Sequence, residues 1–193
     1  LEYCEKLKPV LPKGVYPTGF QGSSGYRASL AFMDLAIGNG VDWFGPNWEV
    51  ELNSPEAVKT LELVVRLAKE YAPPGVPNWG YSESREAWLA GKMAMIQQWQ
   101  CIGRQMYDPE LSAIANEKPA PRSTTMPVGK ARRAYPTVNG SSVSITKNSK
   151  NKEAAAIWLF FLNSRETQFV YSASGTGVET CYKSVIENPV YQR

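Results

Sequence analysis

NSPEAVKTLELVVRLAKEYAPPG, residues 53–75, is the stretch that decides the fold. Ser54 offers a side-chain oxygen as a helix N-cap, and Pro55 fits the first helical position, where its missing N–H costs nothing. From there Ala57, Val58, Leu61, Val64, Val65, Ala68 and Tyr71 recur at the helical period and form one apolar stripe. Lys59, Glu62, Arg66 and Glu70 take the solvent side. Ala72-Pro73-Pro74-Gly75 ends the run, because proline cannot continue a helix. The pattern predicts an amphipathic helix from Pro55 to Tyr71 packed on a core.

Upstream, Leu1 to Lys8 reads as a helix closed by Pro9 and Pro12, and Gly14 to Phe20 as a short extended piece. The polar loop Gln21 to Gly25 leads into a helix from Tyr26 to Ile37, with Leu30, Met33 and Ile37 on one face. Gly38-Asn39-Gly40 stops it. Asp42 to Val50 is aromatic and turn-rich. Downstream, Ser82 is expected to cap a helix through Ala90. Met93 to Gln98 reads as a strand whose end turns abruptly polar, Gln97-Gln98-Trp99-Gln100, as though leaving a core for a cleft. Cys101 to Ala115 reads as helical with a break at Pro109. Ser142 to Thr146 alternates as a strand should. Ala154 to Leu162, AAAIWLFFL, is apolar enough to predict a helix buried on most of its surface. Ser164 caps another helix through Ala173, and Ser184 to Glu187 makes a short turn. Few strands separated by helices give a mixed α/β class.

Composition narrows the chemistry. With 193 residues, 43% of them apolar, the chain can fill a core, so it is no disordered tract. Its longest apolar run falls short of the about 18 residues that suggest a membrane span. Twenty-one basic against 18 acidic residues leave +3, which calls for no nucleic-acid partner. There is no histidine, hence no Ser-His-Asp triad, no Cys-His dyad and no imidazole-bound zinc. Cys4, Cys101 and Cys181 lie far apart and form no C-x-x-C pair; two of them can form one disulfide, without the sequence saying which. No metal and no cofactor is expected. Glu83 and Glu86, three apart on a helix, are read as a solvated face, and Lys130, Arg132 and Arg133 as a solvated loop. Gly175-Thr176-Gly177 lacks the lysine and the strand–loop–helix setting of a phosphate loop. Opening at Leu1 inside a helical stretch, the chain is expected to be a processed or cut-out portion of a longer one.

Two passages carry a family resemblance. Asn53-Ser54-Pro55-Glu56-Ala57-Val58, followed by Ala72-Pro73-Pro74-Gly75 and then Trp88-Leu89-Ala90-Gly91-Lys92-Met93-Ala94-Met95, resembles the middle of family 1 extracellular solute-binding proteins of ABC importers. Val138-Asn139-Gly140-Ser141 through Ile145, with Lys147-Asn148-Ser149-Lys150-Asn151-Lys152-Glu153-Ala154-Ala155, is similar to that family's returning strand, its loop and the helix behind. Gly175 to Pro189 is a weaker third match. The resemblance implies one lobe of a type II periplasmic-binding-protein fold, α/β and helix-rich with a small mixed sheet. Residues 1–128 would be the carboxy-terminal lobe, 129–177 the segment that normally returns to the amino-terminal lobe, and 178–193 the tail of the carboxy-terminal lobe. Helix 153–162 would then lack its usual partners, and in isolation it is expected to pack on another copy, swap, or expose an apolar patch.

Sugar sites need flat aromatic surfaces for C–H faces and planar polar groups for hydroxyls. By resemblance Trp99 is the cleft-facing aromatic, with Gln98 beside it to read hydroxyls. Tyr26 and Arg27 begin a helix where the family contacts ligand. Asn139, Gly140 and Ser141 form the returning loop, where glycine lets backbone N–H groups approach a ligand. Tyr182 and Trp43 are further aromatic candidates. The function implied is capture of a small carbohydrate or polyol between two lobes, without chemistry on it, and delivery to a membrane permease at the periplasmic or extracellular surface. A single lobe is expected to bind weakly or not at all, since half the contacts are missing. The alternatives are a hydrolase with two carboxylates about 5–9.5 Å apart, a receptor module for a sensor kinase, and a binder of an anionic glycerol-phosphate-type ligand, which Arg27 would suit.

Overall fold

Four helices and an extended crossing build the first part of the chain: α1 (Glu2–Leu7), α2 (Tyr26–Gly38), α3 (Pro55–Glu70) and α4 (Tyr81–Leu89). The computed structural model describes residues 1–129, 140, 142–174 and 179–191. Contacts divide the chain into two units, Leu1–Val138 and Asn139–Arg193.

In the first unit, α3 starts as its sequence dictates: Ser54 Oγ accepts from the Ala57 N–H at 3.3 Å, with Pro55 in the first turn. It packs on α2 through small residues, Ala36 against Ala57, and through Thr60, which is fully buried. Thr60 Oγ1 donates to the Glu56 carbonyl at 2.8 Å and accepts from Asn39 Nδ2 at 3.1 Å, tying the end of α2 to the first turns of α3. Val64, Leu67 and Ala68 lie over a second cluster, Phe20, Ala31, Ala72 and Val76. The stripe read from sequence is wider than α2 can cover. Val58, Leu61 and Val65 therefore stay exposed on the far edge of α3.

A third cluster gathers Trp88, Leu89, Met93, Ile102 and Met106 under α4. Its floor is the extended crossing. Tyr16 N–H donates to the Lys92 carbonyl and Ala94 N–H to the Tyr16 carbonyl, both at 2.9 Å, which is parallel pairing of Tyr16 with Met93. Met95 N–H then donates to the Pro17 carbonyl at 3.1 Å while Thr18 N–H turns to the Tyr71 carbonyl, so the regular alternation of the ladder is interrupted before Gly19 N–H donates to the Met95 carbonyl at 3.0 Å. Gly19 leaves room for the Met93 side chain, whose sulfur would have to move for a Cβ to fit there. The strand expected at Met93 to Gln98 is thus an extended chain with one formal bridge, and the small mixed sheet reduces, among the described residues, to that bridge and an antiparallel one, Phe44 with Val50.

Three further expectations are corrected. Residues 142–146 have no regular structure, and Val143 is exposed, so alternation there marks no strand. Cys101 to Ala115 is not a helix. Gln100–Ile102 and Gln105–Tyr107 are single 3₁₀ turns separated by Gly103, and Asp108 Oδ1 then accepts from the Glu110 N–H and closes a turn around Pro109. α4 begins two residues early because Glu83 Oε2 accepts from the Gly80 N–H at 2.8 Å, which makes Gly80, and not Ser82, the cap.

The second unit holds α5 (Lys152–Leu162), α6 (Arg165–Ala173) and α7 (Lys183–Ile186). Ser164 caps α6 as its sequence predicts, accepting from the Thr167 N–H at 3.3 Å. Arg165 Nε donates to Ser184 Oγ at 2.9 Å and joins α6 to α7. No residue of α5 is buried. Ile157 is 71% and Phe160 80% exposed, so of the outcomes expected for this helix the chain by itself shows the apolar patch. That reverses the simpler reading of AAAIWLFFL as a buried core helix.

Candidate functional site

The parallel register that pairs Tyr16 with Met93 is carried on toward the end of the crossing, where Gln21 meets Gln98 across the same sequence separation. Gln21 Nε2 donates to Gln98 Oε1, and that oxygen also accepts the Trp99 N–H at 2.9 Å. Gln98 Nε2 donates to Ser84 Oγ at 2.7 Å, and Ser84, fully buried on α4, donates to the Gly80 carbonyl at 2.8 Å. Next along the chain, Gln97 Nε2 donates to Asp34 Oδ2 on α2 at 2.7 Å. The polar run 97–100 is therefore held from three sides. Gln98 thus accepts twice through its oxygen and donates once through its nitrogen inside the protein, which fixes the backbone at Trp99.

Trp99 emerges from this network 37% exposed. The Tyr81 ring stacks on it at 5.3 Å between centroids and 24° between planes. Arg27 lies with its guanidinium carbon 4.6 Å from the Trp99 ring centroid and 5.4 Å from that of Tyr26. On the other flank Arg85 sits 5.6 Å from the Tyr81 ring centroid. The result is a row of cation, indole, phenol and cation. Each guanidinium faces a ring quadrupole, an attraction of about 0.5–1 kcal/mol at partly exposed sites. Burial above all, with the Tyr81 hydroxyl 3.5 Å from Cys101 Sγ, pushes the Tyr81 phenol up to about 12, against an opposing effect of Arg85. The phenol stays neutral at physiological pH.

Local sequence explains why Arg27 reaches this row. Gly25 adopts φ 82°, a left-handed conformation that glycine takes without strain, and turns the loop into α2. Gly22 and Ser23 both donate their N–H to the Trp79 carbonyl at 3.0 Å, which pins the loop beside α4. A Cβ at Gly22 would stand 2.5 Å from the Val76 carbonyl oxygen, so only glycine allows the approach.

Four of the candidates read from sequence thus come together: Tyr26, Arg27, Gln98 and Trp99. Trp43 does not join them; it meets Phe32 edge-on at 6.0 Å and 85°. Tyr182 belongs to the second unit, where its hydroxyl donates to the Asn163 carbonyl at 2.6 Å. Gly140 is exposed in that unit with open space where a Cβ would stand, and Asn139 and Ser141 lie outside the described residues. Sequence reasoning missed Gln21, Ser84 and Tyr81. No local signal sets Gln21 against Gln98, since that contact follows from the pairing of 16–19 with 93–96; an aromatic four residues before Arg85 is the signal that would have raised Tyr81.

Among solved structures, the chain is similar to maltose-bound MalE3 of T. maritima, at 24% identity and a TM-score of 0.87, over 99% of this chain and 48% of that one. It is similar also to an ABC transporter solute-binding protein of Agrobacterium radiobacter K84 in complex with ribitol, at 26% identity and a TM-score of 0.86, again over 99% and 48%. A third, from Agrobacterium vitis S4 with bound D-mannitol, shares 22% identity with a TM-score of 0.77, over 99% of this chain and 46% of that one. These share its type II periplasmic-binding-protein fold. A probable ABC transporter-binding protein of Deinococcus radiodurans is 25% identical over 146 residues, 72% of this chain and 33% of that protein. The chain spans about half the length of those solved structures and a third of that curated relative. The profile of the bacterial extracellular solute-binding protein family matches residues 1–169, and the chain belongs to that family.

Proposed function

We propose that the chain forms part of the solute-binding component of an ABC importer, and that the Trp99 row is one wall of its ligand cleft. The carrying observation is Trp99 itself: a partly open indole, locked by Gln98 and stacked on Tyr81, with Arg27 and Tyr26 beside it. Such a wall suits a small carbohydrate or polyol, whose C–H face packs on the indole while hydroxyls meet the polar rim. The ribitol, D-mannitol and maltose bound by similar structures support this substrate class.

In this reading residues 1–128 belong to the carboxy-terminal lobe, 129–177 to the returning segment and 178–193 to the lobe's tail. Asn139, Gly140, Ser141, Tyr182 and Trp43 are weaker ligand candidates than the four gathered in the first unit. Ligand bridging two lobes favours the closed form, which a membrane permease recognises at the periplasmic or extracellular surface. The ligand leaves chemically unchanged. Family membership supports the binding role and the location outside the cytoplasm.

A thermal-shift screen on the longest natural polypeptide carrying this sequence tests the proposal. A polyol or saccharide at about a hundredfold its Kd should stabilise by about 2.7 kcal/mol. Stabilisation by amino acids or phosphate esters, with none by any polyol or sugar, would contradict it.

A further inference from the structure

Both faces of the Trp99 indole are covered by the protein itself. Its backbone N–H is held by Gln98 Oε1 at 2.9 Å, which fixes where the ring stands. The Tyr81 ring, 5.3 Å away and 24° from parallel, takes one face. Arg27 lies over the indole with its guanidinium carbon 4.6 Å from the centroid and makes no such contact with Tyr81, so it holds the other face. The 37% of Trp99 that stays exposed is therefore its edge. A polyol or sugar that packs its C–H face on this indole must take the place of one of the two neighbours.

Those neighbours are not held alike. The Tyr81 hydroxyl lies 3.5 Å from Cys101 Sγ, and Arg85, over the Tyr81 ring, pairs with Glu86 at 3.4 Å. Arg27 pairs with no carboxylate among the described residues, and its Nη1 is buried without a hydrogen-bond partner. A buried donor left unmet weakens the seat that buries it. Arg27 also has a second platform, the 53% exposed Tyr26 ring, whose centroid is 5.4 Å from the same guanidinium carbon. The backbone around it is tied, Ala28 N–H to the Ser23 carbonyl at 3.0 Å and Ser29 N–H to the Gly25 carbonyl at 3.1 Å. Moving from one ring to the other thus takes side-chain torsions alone.

We infer that Arg27 is a displaceable strap, seated on the ligand's face of Trp99 while the site is empty and shifted onto Tyr26 when ligand arrives. The inference rests on the proposed cleft wall and adds how that wall opens. The strap keeps an apolar ring face out of water in the empty site, and it makes every ligand compete with an internal contact. Tyr81, anchored at its hydroxyl, stays as the fixed backing of the indole.

Solution NMR on the longest natural polypeptide carrying this sequence tests the inference, with arginine labelled and Arg27 assigned by the signal missing in Arg27→Lys. Without ligand, the Arg27 δ-methylene protons should lie upfield of the other arginines, shielded by the indole face, and Trp99→Leu should remove that shift. Saturation with ribitol, D-mannitol or maltose, whichever binds, should carry the Arg27 signals most of the way to their position in Trp99→Leu. In stopped-flow mixing, Arg27→Ala should speed association about two- to fivefold, the equilibrium weight of one partly exposed cation–π contact. No upfield shift in the empty protein, an upfield shift kept at saturation, or slower association in Arg27→Ala would overturn the inference. The cleft wall would survive each of these as long as Trp99→Leu weakens binding. The labelled wild type decides the question even if Arg27→Ala fails to fold. Binding by no polyol or sugar would overturn both.

Discussion

Replacing Trp99 with leucine keeps apolar bulk at the end of the crossing and removes the flat ring. Two contacts are lost in the protein. The stack on Tyr81 at 5.3 Å and 24° contributes about 0.5–1.5 kcal/mol beyond buried area. The Arg27 guanidinium at 4.6 Å contributes about 0.5–1 kcal/mol. Trp99→Leu should therefore lower stability by about 1–2.5 kcal/mol in urea unfolding. Binding has a separate magnitude. Trp99 is 37% exposed, so a ligand that covers its open part removes on the order of 80 Å² from water, worth about 2 kcal/mol. Affinity for a bound polyol should fall by about 10- to 30-fold in calorimetry. A double-mutant cycle with Arg27→Met should give a stability coupling of about 0.5–1 kcal/mol. A variant that loses the expected stability yet keeps its polyol affinity within about twofold would show that the indole only supports the fold, and the reasoning about the cleft wall would fail.

Three other outcomes follow from the structure. Gly22→Ala places a methyl group 2.5 Å from the Val76 carbonyl oxygen, so the loop holding Gln21 must shift; unfolding should show a loss of about 1–3 kcal/mol, with weaker ligand binding alongside it. Tyr81 has a folded-state phenol raised from 10.0 to about 12. Its contribution is fully present below pH 10 and is lost as pH rises toward 12, where the unfolded chain gives up the proton first; Tyr81→Phe should flatten that part of the alkaline stability curve, and an unchanged slope would contradict the assignment. On α5, Ile157→Lys with Phe160→Lys should cut dye binding to exposed apolar surface in the isolated chain and leave its melting temperature within about a degree, since neither side chain is buried; a large destabilisation would show that the face is covered.

Helix positions were legible wherever a local signal was complete. Ser54 with Pro55, and Ser164 with the apolar run before it, set their helices without help from the rest of the chain. Where partners are distant in sequence, local pattern failed. Met93 to Gln98 has strand composition, yet its pairing is interrupted from the other side, where Thr18 N–H turns to the Tyr71 carbonyl. Val143 and Ile145 alternate with polar residues, yet no neighbouring strand pairs with 142–146 among the described residues. The same limit governed the site. Trp99 and Arg27 stood out by type and position, and resemblance suggested the role proposed for them. Gln21 did not, because its meaning comes from a hydrogen bond to a residue 77 positions away. Gln98 was expected in the site, but its hydrogen bonds to Gln21, Ser84 and its own neighbour's N–H are a tertiary fact.

The most direct test of a wall that grips a guest without altering it is equilibrium dialysis of isotopically labelled ribitol and D-mannitol against the longest natural polypeptide carrying this sequence, with mass spectrometry of the released compound. Saturable retention of one of them, its recovery intact after prolonged incubation, and loss of that retention in Trp99→Leu are the results expected. Retention unaffected by Trp99→Leu, or release of a converted product, would contradict the account.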